Sequence, residues 1–166
     1  NEIDFALVSI LPDDIQVEKF NLIPNELYLV GNKEVGPDIK IEEQLASTPF
    51  IFREKGSGTR QVMEKFIAKN KIKVKKKLEL TSNEAVKQAV IAGLGYSIMP
   101  LLGLQNELQN KQMYILQADG LPLKTDWRLI WLKGKKLSPV SQAFLDFIRS
   151  EKQQILKEHF EWYLTS

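Results

Sequence analysis

The sequence predicts an α/β fold, and three observations carry that prediction. Short β-rich runs alternate with amphipathic helical stretches from Pro49 onward, and a turn signal stands at each passage from strand to helix. Strands joined through helices in this way make βαβ units, which call for a mainly parallel sheet.

Taken in order, Ile3 to Ser9 is a nearly unbroken apolar run, too short for an independent helix, and predicts a buried strand broken by Pro12-Asp13-Asp14. Val17–Leu22 and Leu27–Val30 predict two strands separated by a turn at Pro24-Asn25 and closed by Gly31-Asn32. Ile41–Ala46 predicts a short helix. Phe50-Ile51-Phe52 reads as a strand, Gly56-Ser57-Gly58-Thr59 as a tight turn, and Val62, Met63, Phe66 and Ile67 recur at helical spacing up to Asn70. Leu78–Leu80 is the next strand. Thr81-Ser82-Asn83-Glu84 has capping-box spacing, and Ala85, Val86, Ala89 and Val90 form one apolar face of a helix that Gly93 ends. Tyr96–Met99 is a strand stopped by Pro100, Leu101–Leu108 a modest helix, and Met113–Leu116 and Trp127–Leu132 are two more strands. Ser138-Pro139 supplies an N-cap and first-turn pair for a long helix, with Val140, Ala143, Phe144, Phe147, Ile148 and Ile155 on its expected buried side.

Composition excludes several classes of function. The 166 residues are 43% hydrophobic and 27% charged, as in a globular protein with one good core or two small lobes. No apolar run reaches the roughly 20 residues of a membrane helix, so no membrane partner is expected. The absence of cysteine removes disulfides, thiol catalysis and cysteine metal sites. A single histidine, His159, weakens metal and histidine acid–base schemes, and no metal or cofactor is expected. The chain opens on Asn1 with the apolar run beginning at once, and reads as a piece of something longer. Charge is nearly balanced, 23 basic against 21 acidic residues, but Lys69, Lys71, Lys73, Lys75, Lys76 and Lys77 are crowded together. That crowding could suggest nucleic-acid binding, yet it falls between a helix and a strand with Ile72 and Val74 interleaved, and a solvated loop and strand start is the preferred reading.

The site-like segment is Arg53-Glu54-Lys55-Gly56-Ser57-Gly58-Thr59-Arg60, where a strand gives way to a helix. Two glycines admit close approach to the backbone, Ser57 and Thr59 supply hydroxyls, and the first free amides of the helix point the same way. The helix dipole adds to this, so a carboxylate, phosphate or sulfate would fit. Arg53 or Arg60 could add a bidentate contact. Simple capping by Ser57 or Thr59 explains the same residues without a ligand. The spacing is not that of a nucleotide P-loop or of a nucleophile elbow. A second turn, Thr81-Ser82-Asn83, belongs to the next strand-to-helix junction. Tyr96-Ser97 suits either a pocket floor or a core strand.

The succession Pro49 to Arg60, then Ser82-Asn83-Glu84-Ala85-Val86-Lys87, then Val90-Ile91-Ala92-Gly93-Leu94-Gly95-Tyr96-Ser97-Ile98-Met99-Pro100 resembles the effector-binding domain of LysR-type transcriptional regulators. The opening Ile3–Leu7 and the closing Ser138–Phe147 are similar too, so the resemblance covers nearly the whole chain. It implies two Rossmann-like lobes of the type 2 periplasmic-binding-protein kind. Residues 25–122 would form the second lobe, and 1–24 with 123–166 the first, its N-terminal part missing. It further implies a small, anionic effector in the interlobe cleft, met by Ser9 from the first lobe and by Ser57, Gly58 and Thr59 from the second, with Ser82, Asn83 and Arg53 nearby. The effector would act by population shift in a bacterial cytoplasmic regulator. Operator DNA would be bound only through an N-terminal winged helix-turn-helix absent from this sequence, and the effector domains would assemble as a homodimer or tetramer. An exposed sheet edge is expected in the first lobe.

Two other readings compete. A solute-binding protein of an uptake system, binding phosphate or a similar oxyanion, would share the fold and the Arg-x-x-Gly-Ser-Gly-Thr turn. An enzyme using Glu54 or Asp126 as a base lacks a paired carboxylate, a nucleophile–base pair or a metal cluster, so no catalytic residue is assigned.

Overall fold

The computed structural model describes residues 3–35 and 48–164, so the helix expected over Ile41–Ala46 lies outside the described residues. In chain order the elements are β1 (Ala6–Val8), β2 (Val17–Gly31), β3 (Phe50–Arg53), α1 (Gly58–Lys69), β4 (Lys77–Leu80), α2 (Asn83–Ile91), β5 (Ser97–Pro100), a 3₁₀ turn at Leu101–Gly103, α3 (Gln105–Gln109), β6 (Tyr114–Leu116), β7 (Leu123–Leu132) and α4 (Pro139–Leu164). They divide into two compact units, Asn1–Asn25 with Thr125–Ser166, and Glu26–Lys124.

The second unit holds the better-formed core. Successive strand residues face opposite sides of a sheet, and the apolar residues sort accordingly. Leu27, Leu29, Phe50, Phe52 and Ile98 pack with Met63 and Phe66 of α1. Val30, Ile51 and Met99 pack with Val86, Ala89 and Val90 of α2. Strands apolar on both faces therefore carry a helix on each side. Each fully buried side chain of this size contributes about 1.5–3 kcal/mol of transfer free energy.

Parallel pairing, expected to predominate, is confined to one part of the described residues. β3 and β4 run parallel, from Phe50 opposite Lys77 to Arg53 opposite Leu80, and Phe50 bridges Tyr96 in parallel. β2 pairs antiparallel with both β5 and β6, and β1 antiparallel with β7. Among the described residues α1 joins β3 to β4 and α2 joins β4 to Tyr96 and β5, the helix crossovers that parallel strands require.

Four boundaries also differ from expectation. β2 is one strand of 15 residues with no turn at Pro24-Asn25. Proline's fixed φ suits an extended chain where its missing N–H is not needed. Here the Pro24 carbonyl accepts a hydrogen bond from the Tyr163 hydroxyl (2.8 Å), and buried Asn25 donates to Thr125 Oγ1 (2.9 Å). Pro100 does not stop β5 but ends it in register opposite Leu27. The helix expected over Leu101–Leu108 is a 3₁₀ turn followed by five residues of α3, because Leu104 leaves helical geometry (φ −119°) with its side chain in the core. β7 starts at Leu123, four residues ahead of the expected Trp127.

Within the first unit, β1 pairs with β7 alone among the described residues, so it is an end strand. Ser138 caps α4 as its Ser-Pro pair predicts, accepting from the Ser141 amide at 3.2 Å. The Ser141 hydroxyl donates in turn to Asp4, whose carboxylate also meets Lys135 at 2.7 Å. The expected buried face of α4 is wrong. Ser141, Leu145 and Tyr163 point inward, whereas Val140 (79% exposed) and Phe147 (55%) face outward; Phe144 is 45% exposed with its ring 5.7 Å from that of Phe5, Ala143 is exposed, and Ile148 and Ile155 are half-buried. Two stripes run along this helix, and the one carrying Ser141, Leu145 and Tyr163 lies inward, where the Ser141 hydroxyl meets Asp4.

Candidate functional site

The segment singled out by its glycines and hydroxyls forms the passage from β3 to α1 in the second unit. Gly56 has φ +94°, a conformation side chains rarely adopt. Ser57 is extended (φ −65°, ψ 130°), and its carbonyl accepts from the Gln61 amide at 3.1 Å as the first bond of the helix. The amides of Gly58, Thr59 and Arg60 precede that bond and so have no partner within the helix. The Ser57 side chain makes no capping bond to them, and the first turn contains no acidic residue. Three amides, the hydroxyls of Ser57 and Thr59, and the positive end of a 12-residue helix thus belong to one turn.

The next strand-to-helix turn is built differently. The capping box expected to begin at Thr81 gives way to a simple serine cap one residue later. Ser82 is the N-cap, its hydroxyl accepts from the Ala85 amide at 3.0 Å, and Glu84 stands in the first turn. The N-terminus of α2 therefore already has its oxygen and its negative charge, and the two turns are not equivalent.

Arg53 connects them. Its Nε and Nη2 donate to the two carboxylate oxygens of Glu54, both at 2.8 Å, and Nη1 donates to Asn83 Oδ1. The fork expected to receive an anion is thus already closed on a carboxylate. The adjacent Arg53 guanidinium holds the Glu54 carboxyl below the usual carboxylate range. Arg60 is occupied too. It donates to Glu64 (2.8 Å), to Glu79 and to the Arg53 carbonyl (2.8 Å), and lies 5.6 Å over the Phe52 ring. Glu79, then Glu64, push its pKa further up. Both arginines brace the turn, and the groups left for a ligand are the hydroxyls and amides.

Ser97 is no pocket floor: it is buried, and its hydroxyl donates to the Ile51 carbonyl at 2.7 Å. Gly95 is required next to it, because a Cβ there would lie 2.3 Å from the Pro49 carbonyl. Ser9 belongs to the first unit, just after β1, where its carbonyl accepts from Arg128 at 3.4 Å. The carboxylate of Asp126, the other base considered, is paired with Arg128. His159 is exposed beside Glu158. Among the described residues no group of three or more His, Cys, Asp or Glu could hold a metal ion, and no helix is long and apolar enough to cross a membrane.

Residue type and spacing did not reveal Glu54 and Glu79 as the partners that occupy the arginines. The one available signal was the Arg60 to Glu64 interval of four residues on a helix.

Comparison with known proteins adds three findings. A family model for the LysR substrate binding domain matches residues 1–153. The chain is 35% identical over 154 residues to a RuBisCO operon transcriptional regulator of Allochromatium vinosum, covering 91% of this chain and 51% of that protein. It is 36% identical over 147 residues to the HTH-type transcriptional activator CmpR of Synechocystis, covering 87% and 48%. The chain therefore spans about half the length of the curated relatives it matches. Among solved structures, the CcmR regulatory domain of Synechocystis in complex with 2-PG is similar at TM-score 0.81 and 33% identity, over 91% of this chain and 74% of that one. The QuiR effector-binding domain in complex with shikimate shares the fold at TM-score 0.74 and 24% identity, over 96% and 74%.

Proposed function

The chain belongs to the LysR substrate-binding domain family, and we propose that it is the effector-sensing part of a bacterial transcriptional regulator that takes a small anionic metabolite at the N-terminus of α1. The relatives are transcriptional regulators, which sets aside the uptake-protein reading. The observation that carries the proposal is the uncapped start of α1. Ser57 keeps its hydroxyl free of the helix, three amides lack intrahelical acceptors, and both neighbouring arginines are already neutralised. A monoanion or dianion would supply the acceptors this turn lacks. The 2-PG bound by CcmR and the shikimate bound by QuiR are small ligands of a kind this turn could meet.

In this reading Ser57, Gly58 and Thr59 touch the effector, Asn83 and Arg53 hold the turn in shape, Ser82 caps α2, and Ser9 is carried by family resemblance alone. The lobes comprise 25–122 and 1–24 with 123–166. The chain performs no catalysis and works in the cytoplasm. The effector shifts the balance between arrangements of an attached winged helix-turn-helix that reads the operator. The outward Val140 and Phe147 of α4 support assembly as a homodimer or tetramer.

Thermal melting of the chain with phosphate, sulfate, acetate and 2-PG tests the proposal. A ligand at a hundred times its Kd adds about 2.7 kcal/mol, a rise of roughly 5–10 °C for a chain of this size. Absence of any shift across these and other small acids would contradict it.

A further inference from the structure

We propose that the lysine ridge running from the end of α1 into β4 is a contact surface for the phosphate backbone of duplex DNA, independent of base sequence. Residues 65–77 contain seven lysines and no acidic residue, which leaves sixteen basic against 21 acidic residues in the remainder of the chain. The small net charge of +2 therefore conceals a strongly polarised molecule. Lys65, Lys69, Lys71, Lys73, Lys75, Lys76 and Lys77 are all exposed. Among the described residues none of the seven forms an ion pair, whereas Arg60, Lys87, Lys124, Arg128 and Lys135 each meet a carboxylate.

The arrangement is ordered from below. Ile72 and Val74 pack against the core cluster that contains Phe66, while Lys71, Lys73 and Lys75 alternate with them on the outer side. Lys71 stands in the turn that follows α1 (φ +53°), and Lys73 and Lys75 follow it ahead of β4, so three exposed ammonium groups sit close together in the chain over a base buttressed by Ile72 and Val74. Lys65 and Lys69, four residues apart on α1, extend the same charge.

Two structural duties account for only part of this. Lys69 in the last turn offsets the helix dipole. Lys77 guards the edge strand β4 and lies 5.5 Å over the Phe52 ring. Lys71, Lys73 and Lys75 serve neither. Their chemistry favours a nucleic acid over an acidic protein. Protein interfaces enrich aromatic residues and arginine and deplete lysine, while rows of lysine neutralise phosphates as point charges.

The test is fluorescence anisotropy of a labelled duplex of arbitrary sequence with the 166-residue chain, read as log K against log salt. The expected result is binding at about 50 mM salt, with a slope that falls by about 2.7 in the triple variant Lys71→Gln, Lys73→Gln, Lys75→Gln, at about 0.9 for each phosphate no longer neutralised. The corresponding triple arginine variant retains the slope, and the melting temperatures of all three proteins agree. No binding at that salt, or an unchanged slope in the glutamine variant, would overturn the proposal. So would equal lysine-dependent binding of poly-glutamate, which would assign the ridge to an acidic protein. Small-anion binding by the glutamine variant should equal that of the parent chain, so this outcome is independent of the effector reading.

Discussion

Ser57 and Ser82 stand at the same position of two successive strand-to-helix turns, and only Ser82 caps its helix. That difference separates a structural hydroxyl from one available to a ligand. Replacing Ser82 by alanine removes a cap and should cost about 1 kcal/mol, lowering the melting temperature by roughly 2–4 °C. Replacing Ser57 by alanine should leave melting within about a degree of the parent, yet weaken small-anion binding about tenfold or more, since a hydrogen bond to a charged group contributes about 1.5–3 kcal/mol. Calorimetric titration beside thermal melts checks both; equal loss of stability in the two variants would contradict the distinction. The turn itself was legible in the Gly-Ser-Gly-Thr spacing. The cap register was not, because Thr81-x-x-Glu84 and Ser82-x-x-Ala85 compete one residue apart, and the geometry at the end of β4 decides between them. Nor was the Arg53–Glu54 pair legible. Adjacent side chains in a strand point apart, and only the turn beginning after Arg53 brings them together.

At the scale of elements, periodicity located α1, α2 and their strands, because each of those helices has one apolar stripe and one core to bury it in. The reading of α4 failed for the converse reason. Val140, Phe144 and Phe147 make a second stripe, and an interval pattern cannot rank two stripes without the distant partners, among them Asp4, which is held by Lys135 and accepts from the Ser141 hydroxyl. β2 shows the same limit, since Pro24 reads as a break in any local rule while Tyr163 and Thr125 hold its neighbourhood extended from distant parts of the sequence. The outward stripe leads to a prediction. Phe147→Asp, at a position 55% exposed, should leave the fold intact and reduce the dimer fraction in sedimentation velocity. An unchanged distribution would mean that α4 takes no part in self-association.

For the molecule as a whole, the longest segments that resemble the family, 49–60, 82–87 and 90–100, fall in the second unit, whose sheet is covered by helices on both faces, while the shorter Ile3–Leu7 and Ser138–Phe147 fall in the first. A core closed on both sides constrains residue type at each position, so its sequence is the more readable. The first unit pairs a three-residue end strand with a helix that leaves Val140 and Phe147 outside, and its sequence determines less. The central claim is that a small anion binds the uncapped start of α1. Its most direct test is titration of the 15N-labelled chain with phosphate or 2-PG, followed by amide proton–nitrogen correlation. The account predicts saturable shifts largest at the amides of Gly58, Thr59 and Arg60, lost in Ser57→Ala at matched concentration, with Asn83 and Glu84 moving little. Saturable binding that leaves these three amides unmoved would contradict it.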